Sequence, residues 1–256
     1  MARRTRIIVI FAILWLRYQS AERVGEDWLH SFSVQAGLML ACVLAAWPLS
    51  RWLGYRAYGA YALDGYAWRR WLPSGLILAV LAKFRAVWLG LQLGIYAVNG
   101  HAVAAPGAWI VLLPAVPMLL VSTFVPSIAE DTITRGFWYR AAGICWRGGM
   151  VFVLVSATIY GLNHIYRLHR GPLAWLLLFA FGPTYAAALW RTGSLWAALA
   201  LHLGWNLANG LTDLSTPVHV VPPRLAGLLS IGAHLLMLAV VCALPLRRPK
   251  TSAASN

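Results

Sequence analysis

Runs of apolar residues alternate with short polar or glycine- and proline-containing segments along the whole chain. Several runs reach the ~20 residues that an α-helix needs to cross a bilayer. The period-two alternation of a membrane β-barrel does not appear, and a helix pairs its backbone groups within one segment. The pattern therefore predicts an all-α, polytopic transmembrane helix bundle of about eight spans. The predicted helices cover residues 7–17, 31–49, 72–98, 108–125, 148–166, 173–190, 194–211 and 225–246.

The composition supports a membrane protein without a separate soluble domain. Of the 256 residues, 61% are hydrophobic and 11% are charged, about half the charged fraction of soluble domains. We expect a single integral membrane domain over 1–256, with N-terminal spans in 1–125, the polar candidate residues in 126–211, and a last span and short tail in 212–256. The first apolar run resembles a signal peptide, but Arg17 follows it directly and no small-residue cleavage site appears, so a retained first span is expected.

The net charge of +14 indicates contact with the lipid bilayer rather than with nucleic acid, because the basic residues punctuate apolar runs. With eight spans, most Lys and Arg residues fall on the side that carries both termini, which predicts cytoplasmic termini. The excess of Arg over Lys is typical of GC-rich bacteria, so we expect a multi-pass protein of the bacterial inner (cytoplasmic) membrane. Lys83 and Arg85 lie inside the third run. This indicates either a segment that starts in the membrane interface or a basic lining of a cavity.

The acidic residues Glu130 and Asp131 directly follow a long run without charge, and no other acidic residue lies between Asp64 and Asp213. Ionisable residues at membrane depth are candidates for function. On a helix, Asp131 and Arg135 share a face and can pair, whereas Glu130 points about 100° away. The alternative is a loop carboxylate pair that offsets nearby arginines, and the spacing alone favours neither interpretation.

Two further helices carry a histidine four positions from a polar residue. Tyr160 and His164 are spaced in this way near the end of one apolar run, and His202 and Asn206 in the middle of another. A lone histidine in an apolar helix is usually a hydrogen-bonded core residue. Two histidines and a carboxylate on three separate helices are less easily explained as packing, whereas His234 in the last run is interpreted as a packing residue.

These residues carry a resemblance to a known family. The motifs Glu130-Asp131-x-x-x-Arg135-Gly136, Tyr160-x-x-x-His164 and His202-x-x-x-Asn206 resemble, in order and spacing, those of the CPBP family. That family contains the type II CAAX-prenyl endopeptidases and the bacteriocin-processing or Abi proteins, and the resemblance covers about residues 130–206. Members of the family usually have a second glutamate, a Phe before the Arg, and a Phe at the start of the second motif. This chain has other residues at all three positions. The residues at these positions are Asp131, Thr134 and Tyr160.

The resemblance implies an intramembrane endopeptidase that hydrolyses a peptide bond of a membrane-associated protein or peptide. It implies that Glu130 is the base that activates water and that His164 orients this water and protonates the leaving amine. His202 and Asn206 then stabilise the oxyanion. The residues implied as supports are Asp131, Arg135 and Tyr160.

A straight eight-span model conflicts with this site, because it puts Glu130 and His164 at opposite ends of neighbouring helices. About fourteen residues of helix separate those levels by roughly 20 Å, whereas catalysis needs hydrogen-bond reach. We expect a break at Pro126, with 127–142 forming a helix of its own that runs antiparallel to 148–164. This leaves both the number of spans, eight or nine, and the membrane face of the site open.

Other chemistries remain as alternatives. Glu130, His164 and His202 form a His₂Glu set with an open position, as in catalytic zinc sites. No His-Glu-x-x-His motif occurs, Asn206 is a poor zinc ligand, and this set leaves no separate base, so a site without metal or cofactor is favoured. A non-proteolytic carrier or scaffold is a further alternative, although the chain is short for a carrier and shows no repeated half. The sequence does not choose among a peptide leader, a bacteriocin precursor and a C-terminal sorting tag as substrate.

Overall fold

The fold is taken from a computed structural model that describes residues 2–98, 113–144, 148–165, 171–215, 218–220 and 223–246. Eight α-helices make up most of these ranges, which confirms the predicted all-α bundle. The tail beyond residue 246 lies outside the described residues. In chain order the helices are α1 (Arg3–Ser20), α2 (Phe32–Trp52), α3 (Trp68–Gln92), α4 (Ala115–Asp131), α5 (Gly149–Asn163), α6 (Pro172–Thr192), α7 (Leu195–Ser215) and α8 (Pro223–Ala243).

Consecutive helices run in alternating directions, so the bundle has two distinct ends. At one of them Arg6 Nη1 donates to Trp52 O at 3.3 Å, and Leu195 N donates to Ala62 O at 2.9 Å. Arg140 also forms a two-pronged ion pair with Asp64, at 2.7 and 3.0 Å. Because this end carries the start of α1 and the end of α8, we call it the terminal end. The other is called the distal end.

Five helical segments of the described chain are long and apolar enough to cross a membrane. They are Phe32–Trp52, Trp68–Gln92, Ala115–Ala141, Pro172–Thr192 and Leu225–Ala243, and Gly149–Asn163 is a shorter apolar helix. The most extensive contacts between helices join α3 to α7 and place α6 between α5 and α8. The largest cluster of buried apolar side chains extends from Ile10 on α1 to Val241 on α8, and two smaller clusters lie beside it. The chain is therefore a multi-pass membrane protein.

The expected break at Pro126 does not occur. Pro126 lies inside α4, and the chain continues without interruption into a π-helical segment, Thr132–Ala141. A proline removes one backbone donor, and membrane helices tolerate this where neighbouring helices and hydroxyl side chains satisfy the freed groups. In the turns after Pro126, hydroxyl groups contact other backbone carbonyls: Thr134 Oγ1 donates to Glu130 O at 2.7 Å, and Ser156 Oγ on α5 donates to Thr134 O at 2.9 Å. The ninth helix predicted over 127–142 is therefore wrong.

The third predicted helix, 72–98, extends too far. The structure ends α3 at Gln92, and Gly94 adopts a positive φ of 67° that turns the chain. Residues Tyr96–Val98 (β1) then pair antiparallel with Val218–Val220 (β2) in a two-stranded sheet, with Tyr96 opposite Val220. This short sheet joins the end of α3 to the segment after α7. The sequence predicted helices alone and did not predict this sheet, because its two strands lie far apart in the chain.

Candidate active site

Glu130 and Asp131 lie in the middle of a 27-residue helical segment, Ala115–Ala141, rather than at a helix end. The side chain of Glu130 is 7% exposed and that of Asp131 is fully buried. The α-helix changes to a π-helix directly after them, a rare geometry that is frequent at functional sites. The conflict expected from sequence disappears, because the continuous helix carries Glu130 to the depth of the histidines.

The carboxylate of Glu130 lies between two histidines from other helices. Its Oε1 is 3.5 Å from Nε2 of His164, which ends α5. Its Oε2 is 3.7 Å from Nε2 of His202, which lies within α7. The structure thus brings together the three residues that the motifs single out, at distances slightly longer than a direct hydrogen bond.

Both imidazole rings are oriented by a contact at Nδ1. Nδ1 of His164 lies 2.9 Å from the carbonyl oxygen of Tyr160, which can only accept, so this nitrogen carries the proton. Nδ1 of His202 lies 3.2 Å from Asp131 Oδ1, and a carboxylate likewise accepts. Each Nε2 then points at Glu130, and a carboxylate and a ring nitrogen attract each other only through a shared proton or a bridging molecule. The arrangement is suited to holding a water and moving its protons.

Asp131 and Arg135 form an ion pair whose side chains are both fully buried, through Asp131 Oδ1 and Arg135 Nη1. The guanidinium carbon of Arg135 also lies 4.5 Å from the ring centre of Tyr160 and 5.0 Å from that of Tyr185. A buried cation stacked on two aromatic faces is held by charge and by ring electrons. Arg135 and Tyr160 are therefore packed against each other beside the site.

Asn206 lies one helical turn after His202 and borders the same cavity. Its Nδ2 donates to Ser127 Oγ on α4 at 3.2 Å. The amide has a second N–H available for a ligand. Asn206 thus presents a hydrogen-bond donor beside the two histidines.

These residues open onto a cavity of about 440 Å³ inside the bundle. Glu130, Tyr160, His164, His202 and Asn206 all line it, whereas Asp131 and Arg135 do not. The remaining lining comes mostly from segments at or near the distal end, including the starts of α2 and α6 and the last third of α7. From the N-terminal region it takes Tyr18, Glu22, Glu26, Phe32, Gln35 and Met39.

The sequence motifs missed Tyr185 and His234. The ring of Tyr185 stacks on His202 with centroids 5.0 Å apart, and its hydroxyl is 2.9 Å from Nε2 of His234. His234 is fully buried and stacks on Phe181 at 3.5 Å. The interpretation of His234 as a packing residue is therefore incomplete, because it also anchors the residue that packs on His202.

The interpretation of Lys83 and Arg85 as a basic lining of the cavity does not match the structure. The helix α3 begins at Trp68, so Lys83 is well inside it rather than near its start. Its Nζ lies 5.2 Å from the ring centre of Trp205, and Arg85 stacks on Trp88 of its own helix at 4.6 Å. Neither Lys83 nor Arg85 is among the described residues that line the cavity beside Glu130. Their charges are held against indole rings instead.

The chain is thus a multi-pass helix bundle with a carboxylate between two histidines in an internal cavity, an arrangement that suits a hydrolase within the membrane. Residues 112–208 match the model of a family described as type II CAAX prenyl endopeptidase Rce1-like. This segment is similar to that family, which confirms the predicted resemblance and supports the predicted class of intramembrane peptidase. No curated protein and no solved structure matches the chain. The matched segment includes every residue of the three motifs but none of the N-terminal cavity lining.

Proposed function

We propose that the protein hydrolyses a peptide bond of a membrane-associated protein or peptide, with Glu130 as the general base. The observation that supports this most directly is the position of the Glu130 carboxylate, 3.5 Å and 3.7 Å from two histidine Nε2 atoms. The cavity of about 440 Å³ gives room for water and a short peptide segment beside it. General-base catalysis requires this kind of reach to the water that is activated.

In the proposed reaction, Glu130 removes a proton from water while the water oxygen attacks the carbonyl carbon of the peptide bond. The carbonyl electrons move to oxygen and form a tetrahedral oxyanion. When this intermediate collapses, the C–N bond breaks and the leaving amine takes the proton from Glu130 through His164. His164 suits this relay because its Nδ1 is held by Tyr160 O and its Nε2 faces the carboxylate.

His202 and Asn206 are proposed to stabilise the oxyanion. They lie one turn apart on α7 and line the same side of the cavity. His202 would donate to the oxyanion from Nε2, and the contact of its Nδ1 with Asp131 orients the ring. Loss of one such donor typically raises the barrier by about 3 kcal/mol. Asp131, Arg135 and Tyr160 act on these groups by orientation alone.

We propose that the reaction needs neither metal nor other cofactor. Among the described residues, no group of three or more His, Cys, Asp or Glu side chains is arranged to hold a metal ion. Asn206 offers zinc only an amide oxygen, which is a weaker ligand for zinc than an imidazole or a thiolate. Zinc bound by Glu130, His164 and His202 stays the alternative.

The cavity is proposed to open toward the non-cytoplasmic side. Its lining includes Glu22 and Glu26 after α1 and Trp175 near the start of α6, which are all at the distal end. Most of the described basic residues lie at the terminal end, and basic segments stay in the cytoplasm. They are Arg3, Arg4, Arg6, Arg51, Arg56, Arg69, Arg70, Arg140 and Arg191, against Arg17, Arg23 and Arg224 near the distal end.

This orientation favours an exported precursor over a prenylated cytosolic protein as the substrate. A peptide leader, a bacteriocin precursor and a C-terminal membrane-sorting tag all fit a site that opens on that side. The lipid bilayer supplies the surface along which such a substrate reaches the bundle. The proposed location is the bacterial inner membrane.

The test compares membranes of cells that express wild type or Glu130→Gln at matched levels. New peptide termini are identified by mass spectrometry. We expect termini that appear with wild type and are lost with Glu130→Gln, because the amide cannot accept a proton from water. Glu26→Gln is unsuitable as a control since it changes the same cavity, so Asp64→Asn at the terminal end serves instead. Identical termini in all samples, with folded protein in each, would favour a carrier or scaffold.

A further inference from the structure

The N-terminal helix α1 lies outside the segment that matches the family, yet it packs directly on an element of the site. The ring of Phe11 packs edge-on against Trp138 with centroids 4.8 Å apart, and it lies 5.4 Å from the ring of Phe137. Both partners belong to the π-helical segment Thr132–Ala141, which continues the helix of Glu130. Edge-on aromatic pairs are favourable contacts, so α1 is fixed against this segment.

The end of α1 is joined to the end of α5 by a pair of side-chain amides. Gln19 Nε2 donates to Asn163 Oδ1 at 2.8 Å, and the two residues are 9% and 2% exposed. The second polar atom of each amide, Gln19 Oε1 and Asn163 Nδ2, has no hydrogen-bond partner among the described residues. Hydrogen bonds between polar side chains connect helices within membranes, and this one joins α1 to α5.

This contact lies one residue before a histidine of the site. Asn163 is the last residue of α5, and His164 follows it directly. The backbone N–H of His164 donates to Gly161 O at 3.0 Å, three residues back, and so leaves the four-residue pattern of the α-helix. Because helix ends fray, a residue at this position depends on an anchor nearby. The amide pair supplies that anchor at Asn163.

The amide pair acts on the site without lining it. Neither Gln19 nor Asn163 is among the described residues that line the cavity, whereas His164 is. Nε2 of His164 lies 3.5 Å from Oε1 of Glu130, and a misplacement of about 1 Å at a reacting group can lower the rate about a hundredfold. A small shift at the end of α5 is therefore enough to separate the two groups.

We infer that Gln19 and Asn163 are positioning residues that hold His164 at the carboxylate of Glu130. The inference rests on the proposed function, because His164 is the proposed proton relay. Through Phe11 and Gln19, α1 contacts both the segment that follows Glu130 and the helix that ends at His164. It therefore sets the separation of two groups that both belong to the matched segment.

Three measurements test this with the full-length protein in detergent micelles. The first is kcat and KM for a synthetic peptide that spans a Glu130-dependent cleavage site found in membranes of expressing cells. The second needs no cleavage: diethyl pyrocarbonate modifies neutral imidazoles, and mass spectrometry follows His164 with His202 as the internal reference. The side chains of these histidines are 11% and 6% exposed, so both are expected to react slowly in wild type. The third is the Tm of each variant.

The variants separate position from stability. Gln19→Leu leaves the amide of Asn163 unpaired in the interior, which lowers the Tm, whereas Gln19→Leu/Asn163→Leu removes both amides and recovers most of the Tm. We expect kcat to fall about 10- to 100-fold in both variants. KM stays nearly unchanged, because neither side chain lines the cavity. His164 is expected to be modified several times faster relative to His202.

Two further variants serve as controls. The exchange Gln19→Asn/Asn163→Gln keeps two amides of the same combined length, so it is expected to retain most of the wild-type kcat. Ser20→Ala removes the hydrogen bond from Ser20 Oγ to Leu16 O, 2.7 Å long and internal to α1. This variant is expected to keep the wild-type kcat and the wild-type rate of His164 modification.

Recovery of kcat together with Tm in the double leucine variant overturns the inference, because the pair then acts on stability alone. A wild-type kcat and a wild-type rate of His164 modification in folded Gln19→Leu also overturn it. If Gln19→Leu speeds the modification of His164 but wild type cuts no membrane protein, the positioning is supported and the proposed proteolysis is contradicted instead.

Discussion

Asp131 Oδ1 lies 3.2 Å from Nδ1 of His202 and accepts at the same time from the guanidinium of Arg135. One carboxylate oxygen therefore connects α7 to the π-helical segment that follows α4. Asp131 is fully buried, and a buried charge is stable only when it is paired. The contact orients the imidazole so that Nε2 faces Glu130, which gives the residue an influence on catalysis without contact to substrate.

Replacing Asp131 by Asn is expected to lower kcat about a hundredfold, because His202 loses the group that fixes its orientation. It also leaves Arg135 unpaired in the interior, which destabilises by about 3–5 kcal/mol. Asp131→Glu retains the charge and is expected to keep more activity and a higher Tm than Asp131→Asn. Cleavage assays and thermal unfolding in detergent measure both effects, and a wild-type kcat for the Asn variant would contradict this role.

The contact between Tyr185 and His234 predicts a coupled pair. Nδ1 of His234 lies 2.9 Å from Ser230 O and must donate, so Nε2 accepts the hydroxyl proton of Tyr185. His234→Leu leaves this hydroxyl unpaired in the interior and is expected to destabilise by about 1–3 kcal/mol.

The double variant Tyr185→Phe/His234→Leu removes both polar groups and is expected to be more stable than the sum of the single changes indicates. The measurement is a double-mutant cycle of thermal unfolding. Strict additivity would mean that the two side chains do not interact. A fall in kcat with little change in KM for Tyr185→Leu would show that the stacked ring holds His202.

The helices can be predicted from the sequence because a run of apolar residues is a local signal. The features that the sequence did not predict depend on contacts between residues far apart in the chain. The apolar runs locate all eight helices of the described chain. Pro126 was expected to break α4, since its effect is judged from the helix alone, but α4 continues through Pro126 and packs against α2 and α7. The strand Tyr96–Val98 escapes notice because its partner follows about 120 residues later.

The same distinction holds for the site. Pairs four residues apart, such as Asp131 and Arg135, can be read from the chain because a helix brings them together. Tyr185 and His234 are 49 positions apart, so no local spacing indicates their contact. Glu22 and Glu26 do carry a local signal, since they are two of only 7 acidic residues. Their place beside Glu130 needs the packing of α1 and α2 on α4.

The close approach of α3 and α7 predicts sensitivity at Gly75. A Cβ on Gly75 would lie 2.5 Å from the Cβ of Ala200, and membrane helices use small residues to approach in this way. Gly75→Ala is expected to lower stability by about 1–3 kcal/mol through overpacking. Gly37→Ala on α2 is the matched control, because no atom lies within 4 Å of its Cβ. Equal Tm values for the two variants would show that the interface opens without cost.

The proposed orientation predicts which end of the bundle is reached from outside the cell. Leu29 at the distal end and Tyr66 at the terminal end are 57% and 84% exposed. In a chain whose three cysteines are replaced by alanine, Leu29→Cys is expected to react with a membrane-impermeant maleimide on intact cells. Tyr66→Cys is expected to react only after permeabilisation. The reverse labelling pattern would show that the cavity opens on the cytoplasmic side, and cytosolic proteins would then be candidate substrates.

The metal-free mechanism predicts that chelators leave cleavage unchanged. The amide of Asn206 then acts as an oxyanion donor, and Asn206→Asp replaces a donor by a negative charge that repels the oxyanion. We expect this variant to lose more than about a hundredfold in kcat, and added Zn²⁺ does not restore it. In a zinc enzyme, by contrast, a carboxylate beside Glu130, His164 and His202 adds a ligand that zinc prefers over an amide. The opposite result has two parts: a chelator abolishes cleavage and Zn²⁺ restores it, and the protein binds one zinc ion per chain. That result would show that a metal-bound water attacks the peptide bond and that Glu130 is not the base.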